Sequence, residues 1–312
     1  MKINQITCAA ALCIGVSANA GIAKMDGGEL VGYGDSSVLL VMLDSTGAQT
    51  RGLTVDLGFS FSDFGFTYNA VGGVVNGTGA LAAANTSVTW DFSANTINLN
   101  GTVLSGMTND WSSQVEDFLA NAQLNETKFA LVAGSTRGVS PGSFLATGTP
   151  TAAQLSSQNG GATANFALVA PLFTNNNTRG THATADNGAY SMASTDVGYV
   201  GTDYAATTSI GGWKSYLKWN GWTDVGGRTN LYQLLSNGRE RALGDNVTFG
   251  PTILLNDRGT LSLASDARTL TWSTYTPLSL PTEPTPLPEP ESYALGMLGL
   301  MACGVVARRK KA

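Results

Sequence analysis

Histidine is almost missing: His182 is the only one in 312 residues. A Ser-His-Asp triad would have to use it as the base, with Ser191 and Asp186 near it in sequence, and no Gly-x-Ser-x-Gly elbow presents a serine. Zinc needs several histidine, cysteine or carboxylate ligands, and that supply is lacking. Cysteine is scarce too. Cys8 and Cys13 lie near the start and Cys303 near the end. The long stretch between them can hold no disulfide, thiolate nucleophile or cysteine metal site. Charge is the third shortage. Charged residues make up 12%, about half the usual share. Residues 21–287 carry 12 Lys and Arg against 20 Asp and Glu, a net of −8. Such a surface repels phosphate backbones and anionic headgroups, so nucleic acid is not an expected partner. With no P-loop or dinucleotide fingerprint either, no catalytic residue is assigned and the chain is read as a non-enzyme.

Glycine, serine, threonine, asparagine and alanine fill the space, with apolar and aromatic residues recurring often enough to bury a core. Residues 37–43 form an apolar run of strand length. In residues 51–59, Leu53, Val55, Leu57 and Phe59 fall on one face with period two, so the two segments read as a hairpin. Phe59, Phe61, Phe64, Phe66 and Tyr68 concentrate aromatic mass beside it and read as core anchors. Val88, Trp90 and Phe92 alternate in the same way, and residues 96–100 return the chain as a second hairpin. Trp111, Val115, Phe118, Leu119 and Ala122 then share one stripe at helical spacing, with Thr108, Asn109 or Asp110 as cap. Glu116 and Asp117 are adjacent on that helix. Neighbouring helical positions do not face each other, so they read as a solvated face and not an acid/base pair.

Residues 128–132 and 164–171 read as two buried strands sharing a Phe-Ala-Leu-Val core, and residues 134–161 as surface loop. Residues 230–235 read as a strand ending in an Asn237-Gly238 turn. Residues 247–255 and 259–264 read as a hairpin turning at Asn256-Asp257-Arg258, and residues 269–275 as the last strand. Many short strands and one amphipathic helix give a mainly β fold: an antiparallel β-sandwich over residues 21–276.

Two features of this body have ligand chemistry. Oxygen donors gather at Asp186, Asn187, Asp196, Asp203, Asn256 and Asp257. They make structural calcium the one metal to test for, although no EF-hand spacing organises them and no metal or cofactor is assigned. Trp213, Trp219 and Trp222, interleaved with Lys214, Tyr216 and Lys218, are candidates for glycan contact, because aromatic faces stack on sugar rings.

The two ends read as addresses. Lys2, the apolar residues 6–16 and Ala18-Asn19-Ala20 make a secretory signal peptide, residues 1–20, cut after Ala20. At the other end, prolines 277, 281, 284 and 286 stiffen a linker over residues 277–287. Residues 288–312 begin with Pro288-Glu289-Pro290, continue through an apolar run over residues 293–307 and reach Arg308, Arg309, Lys310 and Lys311. Residues 292–307 give about 24 Å of helix, short of a hydrocarbon core of about 30 Å. Snorkelling arginines and Tyr293 at the far interface let it span as a single transmembrane helix. The basic cluster is a stop signal held in the cytoplasm by the positive-inside rule.

Those three parts in that order resemble the PEP-CTERM sorting signal of Gram-negative bacteria. The resemblance implies processing near Pro288-Glu289-Pro290 by exosortase, a membrane-embedded cysteine peptidase, after export through the Sec translocon and a transient stay in the inner membrane. It implies a final place in the cell envelope or outside the cell, with adhesion, exopolysaccharide association or biofilm structure as the role of the body. The alternative is a secreted carbohydrate-binding or carbohydrate-active protein that uses the aromatics of residues 213–222.

Overall fold

The structure, a computed structural model, describes residues 22–23, 35–44, 50–64, 66–68, 74–76, 79–135, 143–148, 169–205, 222–239 and 248–274. The chain divides into two compact units, Met1–Tyr275 and Thr276–Ala312. The second unit lies outside the described residues, and so do the predicted signal peptide, linker, sorting motif, apolar run and basic cluster.

The apolar run and its alternating partner form the expected hairpin, β1 (Ser37–Asp44) and β2 (Arg51–Ser60), antiparallel and in register from Leu39 opposite Asp56 to Asp44 opposite Arg51. β1 reads as continuous apolar sequence because both of its faces are covered. Leu40 and Met42 enter one core cluster, while Leu39 and Val41 enter another on the opposite face. β3 (Phe66–Tyr68) and β4 (Val74–Asn76) pair as a separate ribbon. The second expected hairpin is β5 (Ser87–Asp91) with β6 (Thr96–Leu99), extended by β7 (Thr102–Val103). Then follow β8 (Asn109–Asp110), α1 (Ser112–Asn121), β9 (Thr127–Ser135), β10 (Ser143–Thr147) and α2 (Ala170–Asn176). β11 (Asn187–Ala193), β12 (Thr223–Asp224), β13 (Arg228–Arg239), β14 (Thr248–Leu263) and β15 (Thr269–Ser273) complete the body.

Among the described residues, thirteen of these strands make one sheet, ordered β7-β6-β5-β15-β14-β13-β10-β9-β1-β2-β11-β8, with β12 also on β9. All pairings are antiparallel except β8 with β11. The mainly antiparallel β architecture is as expected, but the strands are joined in one curled sheet and not divided between two. Chain geometry requires the curl. The edge strands β7 and β8 are neighbours in sequence, separated by residues 104–108, a link that reaches about 20 Å at most. Laid flat, that run of strands would be about 50 Å wide. β2 and β5 therefore meet across the interior. The Trp90 indole N–H on β5 donates to Leu57 O on β2 at 2.7 Å, and its ring stands edge-on to Phe59 at 5.9 Å. Phe61 and Phe64 are buried in the same cluster, as anchors; the side chains of Phe66 and Tyr68 lie outside the described residues.

Asn95, in the β5–β6 turn, fastens the two ends of the sheet. Its side-chain oxygen accepts the Trp111 and Ser112 amides at 2.7 and 3.0 Å, and its carbonyl accepts Asn109 Nδ2 from β8 at 3.0 Å. The cap of α1 thus comes from a distant turn and not from Thr108, Asn109 or Asp110. The helix stripe is as expected, with Trp111, Val115 and Phe118 buried and Leu119 and Ala122 packed beside them. Asn95 sits at φ 55, a left-handed region that asparagine adopts at lower cost than alanine. Asn95→Ala is expected to cost about 2 kcal/mol from cap loss and backbone strain together. Asn95→Gly, which relieves the strain, should cost less. Urea titrations that find the alanine variant as stable as the wild type would remove Asn95 as the fastening.

Four local expectations are corrected. Residues 164–171 do not run as a strand to their end, because Pro171 opens α2, where its missing N–H costs nothing; residues 164–168 lie outside the described residues. The loop expected over residues 134–161 contains β10, with Phe144, Leu145 and Thr147 buried. β13 runs through the Asn237-Gly238 pair to Arg239, with a register break in place of a turn. β14 is continuous through residues 256–258. Residues 258 and 259 together stand opposite Leu231 as a bulge, and Gly259 lies at φ 93, where an added Cβ would meet Ser273 O at 2.0 Å. In both places long-range pairing outweighs a local turn signal. Among the described residues, no helix is long and apolar enough to cross a membrane.

Candidate functional site

Strand periodicity puts Thr54 and Asp56 on the face of β2 opposite Leu53, Val55 and Leu57. That face is not open to solvent. α2 brings Leu172, Phe173 and Asn176 over it, and the 3₁₀ turn Gly180–Ala183 brings His182. Asn176 Nδ2 donates to Leu172 O at 2.8 Å and Gly198 O at 3.0 Å, which fixes its oxygen as an acceptor. Thr54 Oγ1 donates to that oxygen at 3.2 Å. The single hydroxyl proton is then used, so His182 Nε2–H is the donor in its 3.3 Å contact with Thr54 Oγ1. His182 is 1% exposed. Burial pushes its pKa down to about 3, against a smaller opposing effect of a hydrogen bond to Thr54. The ring is a neutral structural donor at physiological pH.

The triad is not assembled. Ser191 on β11 stands opposite Leu53 and shares that residue's face, whereas His182 lies against Thr54 on the reverse face of the sheet. Ser191 Oγ is buried without a hydrogen-bond partner, its amide is held by Gln114 Oε1 at 3.0 Å, and Asp186 Oδ2 is occupied by the Thr108 amide at 3.0 Å.

Asp56 is the titratable group that sequence reasoning missed. It is 3% exposed. Burial raises its pKa from 3.8 to about 7, against the lowering effect of hydrogen bonds from the Gly58 amide, at 3.0 Å, and the Ser37 hydroxyl. Its carbonyl accepts the Trp111 indole N–H at 2.9 Å. The signal was present in β1: a strand apolar at every position has both faces covered, and its neighbour β2 must share that cover.

The adjacent carboxylates of α1 diverge, as the helix geometry requires. Arg268 binds Glu116 through two contacts, at 2.8 and 2.7 Å, while Arg51 binds Asp117 at 3.2 Å. The Arg268–Glu116 pair lies toward solvent, where such a contact adds little stability, whereas the Arg51 side chain is only 16% exposed. The candidate calcium ligands are dispersed. Asn187 Nδ2 binds Asn109 Oδ1 at 2.7 Å, Asp196 Oδ2 accepts the Ala193 amide at 2.8 Å and Asp203 Oδ2 accepts Asn175 Nδ2 at 2.8 Å. The side chains of Asn256 and Asp257 lie outside the described residues. Among the described residues no group of three or more His, Cys, Asp or Glu converges. Of the three tryptophans considered for glycan contact, Trp222 is partly buried and packs against the outer core cluster; Trp213 and Trp219 lie outside the described residues. Compared with known families, curated proteins and solved structures, the chain matches none.

Proposed function

We propose that this chain is an exported cell-envelope or extracellular-matrix protein, sorted and processed by exosortase through residues 288–312. The observation that carries the proposal is the order of the tail: Pro288-Glu289-Pro290, the short apolar run of residues 293–307 and the basic cluster Arg308 to Lys311, opposite a leader ending at Ala18-Asn19-Ala20. The run serves as a transient transmembrane helix in the inner membrane. It is short, and Gly296, Gly299 and Gly304 weaken it as a helix, which suits a removable address. The body, entered through the Sec translocon, works without catalytic residues or a cofactor of its own, in adhesion, exopolysaccharide association or biofilm structure. Its curled sheet behaves as the two packed faces of a sandwich. A cysteine-free body suits export, since it needs no oxidative folding step.

Deleting Pro288-Glu289-Pro290 is expected to leave full-length protein in the membrane fraction, with none released. Release of normally shortened protein from the deletion strain would contradict the sorting role.

A further inference from the structure

α2 covers the outer face of the sheet at β1 and β2. At the β5 end of the sheet the outer face carries side chains that reach solvent. On β6, β5, β15 and β14 these are the residues that alternate with the buried Ile97, Trp90, Trp272 and Leu261. Strand register aligns them into rows. The longest row crosses six strands, through Val103, Asn98, Thr89, Thr271, Ser262 and Arg228. Ser87, Ser273, Thr260 and Asn230 form the row on one side of it. Thr96, Asp91 and Thr269 form the row on the other. At about 4.8 Å between strands, the long row runs about 24 Å, and its neighbours lie about 7 Å away.

Outward positions of a sheet ordinarily hold many of a protein's charged side chains. Here they hold hydroxyls and amides. Asn98, Thr89, Thr271 and Ser262 are partly exposed and, among the described residues, make no side-chain hydrogen bond to the protein. Each hydroxyl keeps a donor and two acceptor sites for a ligand, and the Asn98 amide keeps groups of both kinds. The two charges in these rows are engaged. Asp91 Oδ1 accepts the Ser93 hydroxyl at 2.6 Å and the Ser93 and Ala94 amides at 3.0 and 2.9 Å. Arg228 Nη2 donates to Thr260 Oγ1 at 2.9 Å. A body whose residues 21–287 carry a net charge of −8 thus presents one nearly neutral face.

We infer that the outward face of β7, β6, β5, β15, β14 and β13 binds a neutral polysaccharide chain, laid across the strands along the Asn98-Thr89-Thr271-Ser262 row. Its chemistry matches on both sides: uncharged donors and acceptors repeat on the protein at each strand and on the sugar chain at each ring. No aromatic side chain stands in these rows, since Trp90 and Trp272 are buried beneath them, so hydroxyl contacts and not ring stacking make the recognition. Twist decides the partner's form. Neighbouring strands rotate by about 20–25°, so six strands make a twisted track. A flexible chain follows such a track, whereas a rigid plane such as an ice surface meets only part of it. Each contact is weak, because it replaces a hydrogen bond to water. A polymer held by many copies of the protein gains its strength from avidity. The inference rests on the exopolysaccharide association proposed above and gives it a surface.

The test passes the full-length chain, in detergent, over the producing strain's own exopolysaccharide, immobilised as separate neutral and acidic fractions after anion exchange. The wild type is expected to be retained on the neutral fraction. Thr89→Val with Thr271→Val keeps the β-branched shape of both side chains and removes their hydroxyls. It should bind about tenfold more weakly, with an unchanged urea midpoint. Thr89→Ser with Thr271→Ser, which restores the hydroxyls, should bind like the wild type. So should Ser113→Ala, exposed on α1 where that helix packs on β2 and β11. Equal retention of the wild type and the valine pair would overturn the face and leave polysaccharide association standing. Wild type that binds only the acidic fraction, or that reshapes growing ice crystals without retention on polysaccharide, would overturn the neutral chain as occupant. No retention on either fraction would remove the face and the exopolysaccharide reading together.

Discussion

Trp111→Ala is expected to lower the free energy of unfolding by about 3–5 kcal/mol, the range for deleting a large buried aromatic. Trp111 is fully buried and joins three parts of the fold. Its indole N–H closes on Asp56 O of β2 at 2.9 Å, its ring stands edge-on to Phe92 at 5.5 Å, and its own amide is held by Asn95 at the start of α1. Alanine opens a cavity where these elements meet and leaves the Asp56 carbonyl without its donor. Trp111→Phe separates the two effects. It keeps most of the apolar area and loses only the hydrogen bond, for about 1–3 kcal/mol. Urea titrations with unchanged slope would measure both. Val103, 57% exposed on the edge strand β7, is the internal comparison; Val103→Ala should stay within about 0.5 kcal/mol. A Trp111→Ala loss no greater than that of Val103→Ala would contradict the account of how the sheet is closed.

Between about pH 4 and 6.5 the stability of the folded body is expected to be nearly flat, because two buried groups oppose each other. Asp56 has its pKa raised from 3.8 to about 7 by burial. The folded chain keeps its proton where the unfolded chain loses it. Its stabilising contribution is complete below pH 3.8 and is lost as pH rises through about 7. His182 has its pKa lowered from 6.5 to about 3, again by burial. Its contribution is complete above pH 6.5 and is lost as pH falls through about 3. In the shared window each has a slope of about 1.4 kcal/mol per pH unit, with opposite signs. Single substitutions should expose the slopes. Asp56→Asn is expected to gain stability with rising pH across the window, by on the order of 3 kcal/mol, and His182→Gln to lose a similar amount. The slope is the readout, so a general loss of stability in either variant does not disturb it. Among the other shifted groups, Asp63 is raised mainly by burial and reinforces Asp56. Asp91 is lowered mainly by the Ser93 hydroxyl and Glu116 mainly by Arg268, and both titrate toward the acid end. Variants that keep the flat profile would contradict the assignment of the opposing slopes to the buried Asp56 and His182.

Much of the fold was legible where periodicity was strong. The Leu53-Val55-Leu57-Phe59 alternation, the Val88-Trp90-Phe92 alternation and the Trp111-Val115-Phe118 stripe each locate an element and the face it buries. β11 was not legible, since Asn187–Ala193 mixes small and polar residues with Tyr190 and Met192 and shows no clear alternation, so its burial depends on pairing with β2. β10 was hidden in the same way among Gly, Ser and Thr. The turn signals at Asn237-Gly238 and residues 256–258 are genuine local preferences, overruled by the long β13–β14 pairing. In the candidate site, sequence counting correctly isolates His182 but not its neighbours. Thr54 and Asn176 are 122 residues apart and meet only because α2 lies across the back of β2. Asp56 looked like an outward position on a half-buried strand. It is buried because the strand is covered on both sides.

The central claim concerns the tail, and mass spectrometry of the mature C-terminus in cell-envelope and medium fractions tests it most directly. The account predicts protein shortened near Pro288-Glu289-Pro290, with residues 293–312 absent from both fractions. An intact chain in the envelope, still ending in the Arg308, Arg309, Lys310 and Lys311 cluster, would identify an ordinary membrane anchor and contradict the claim.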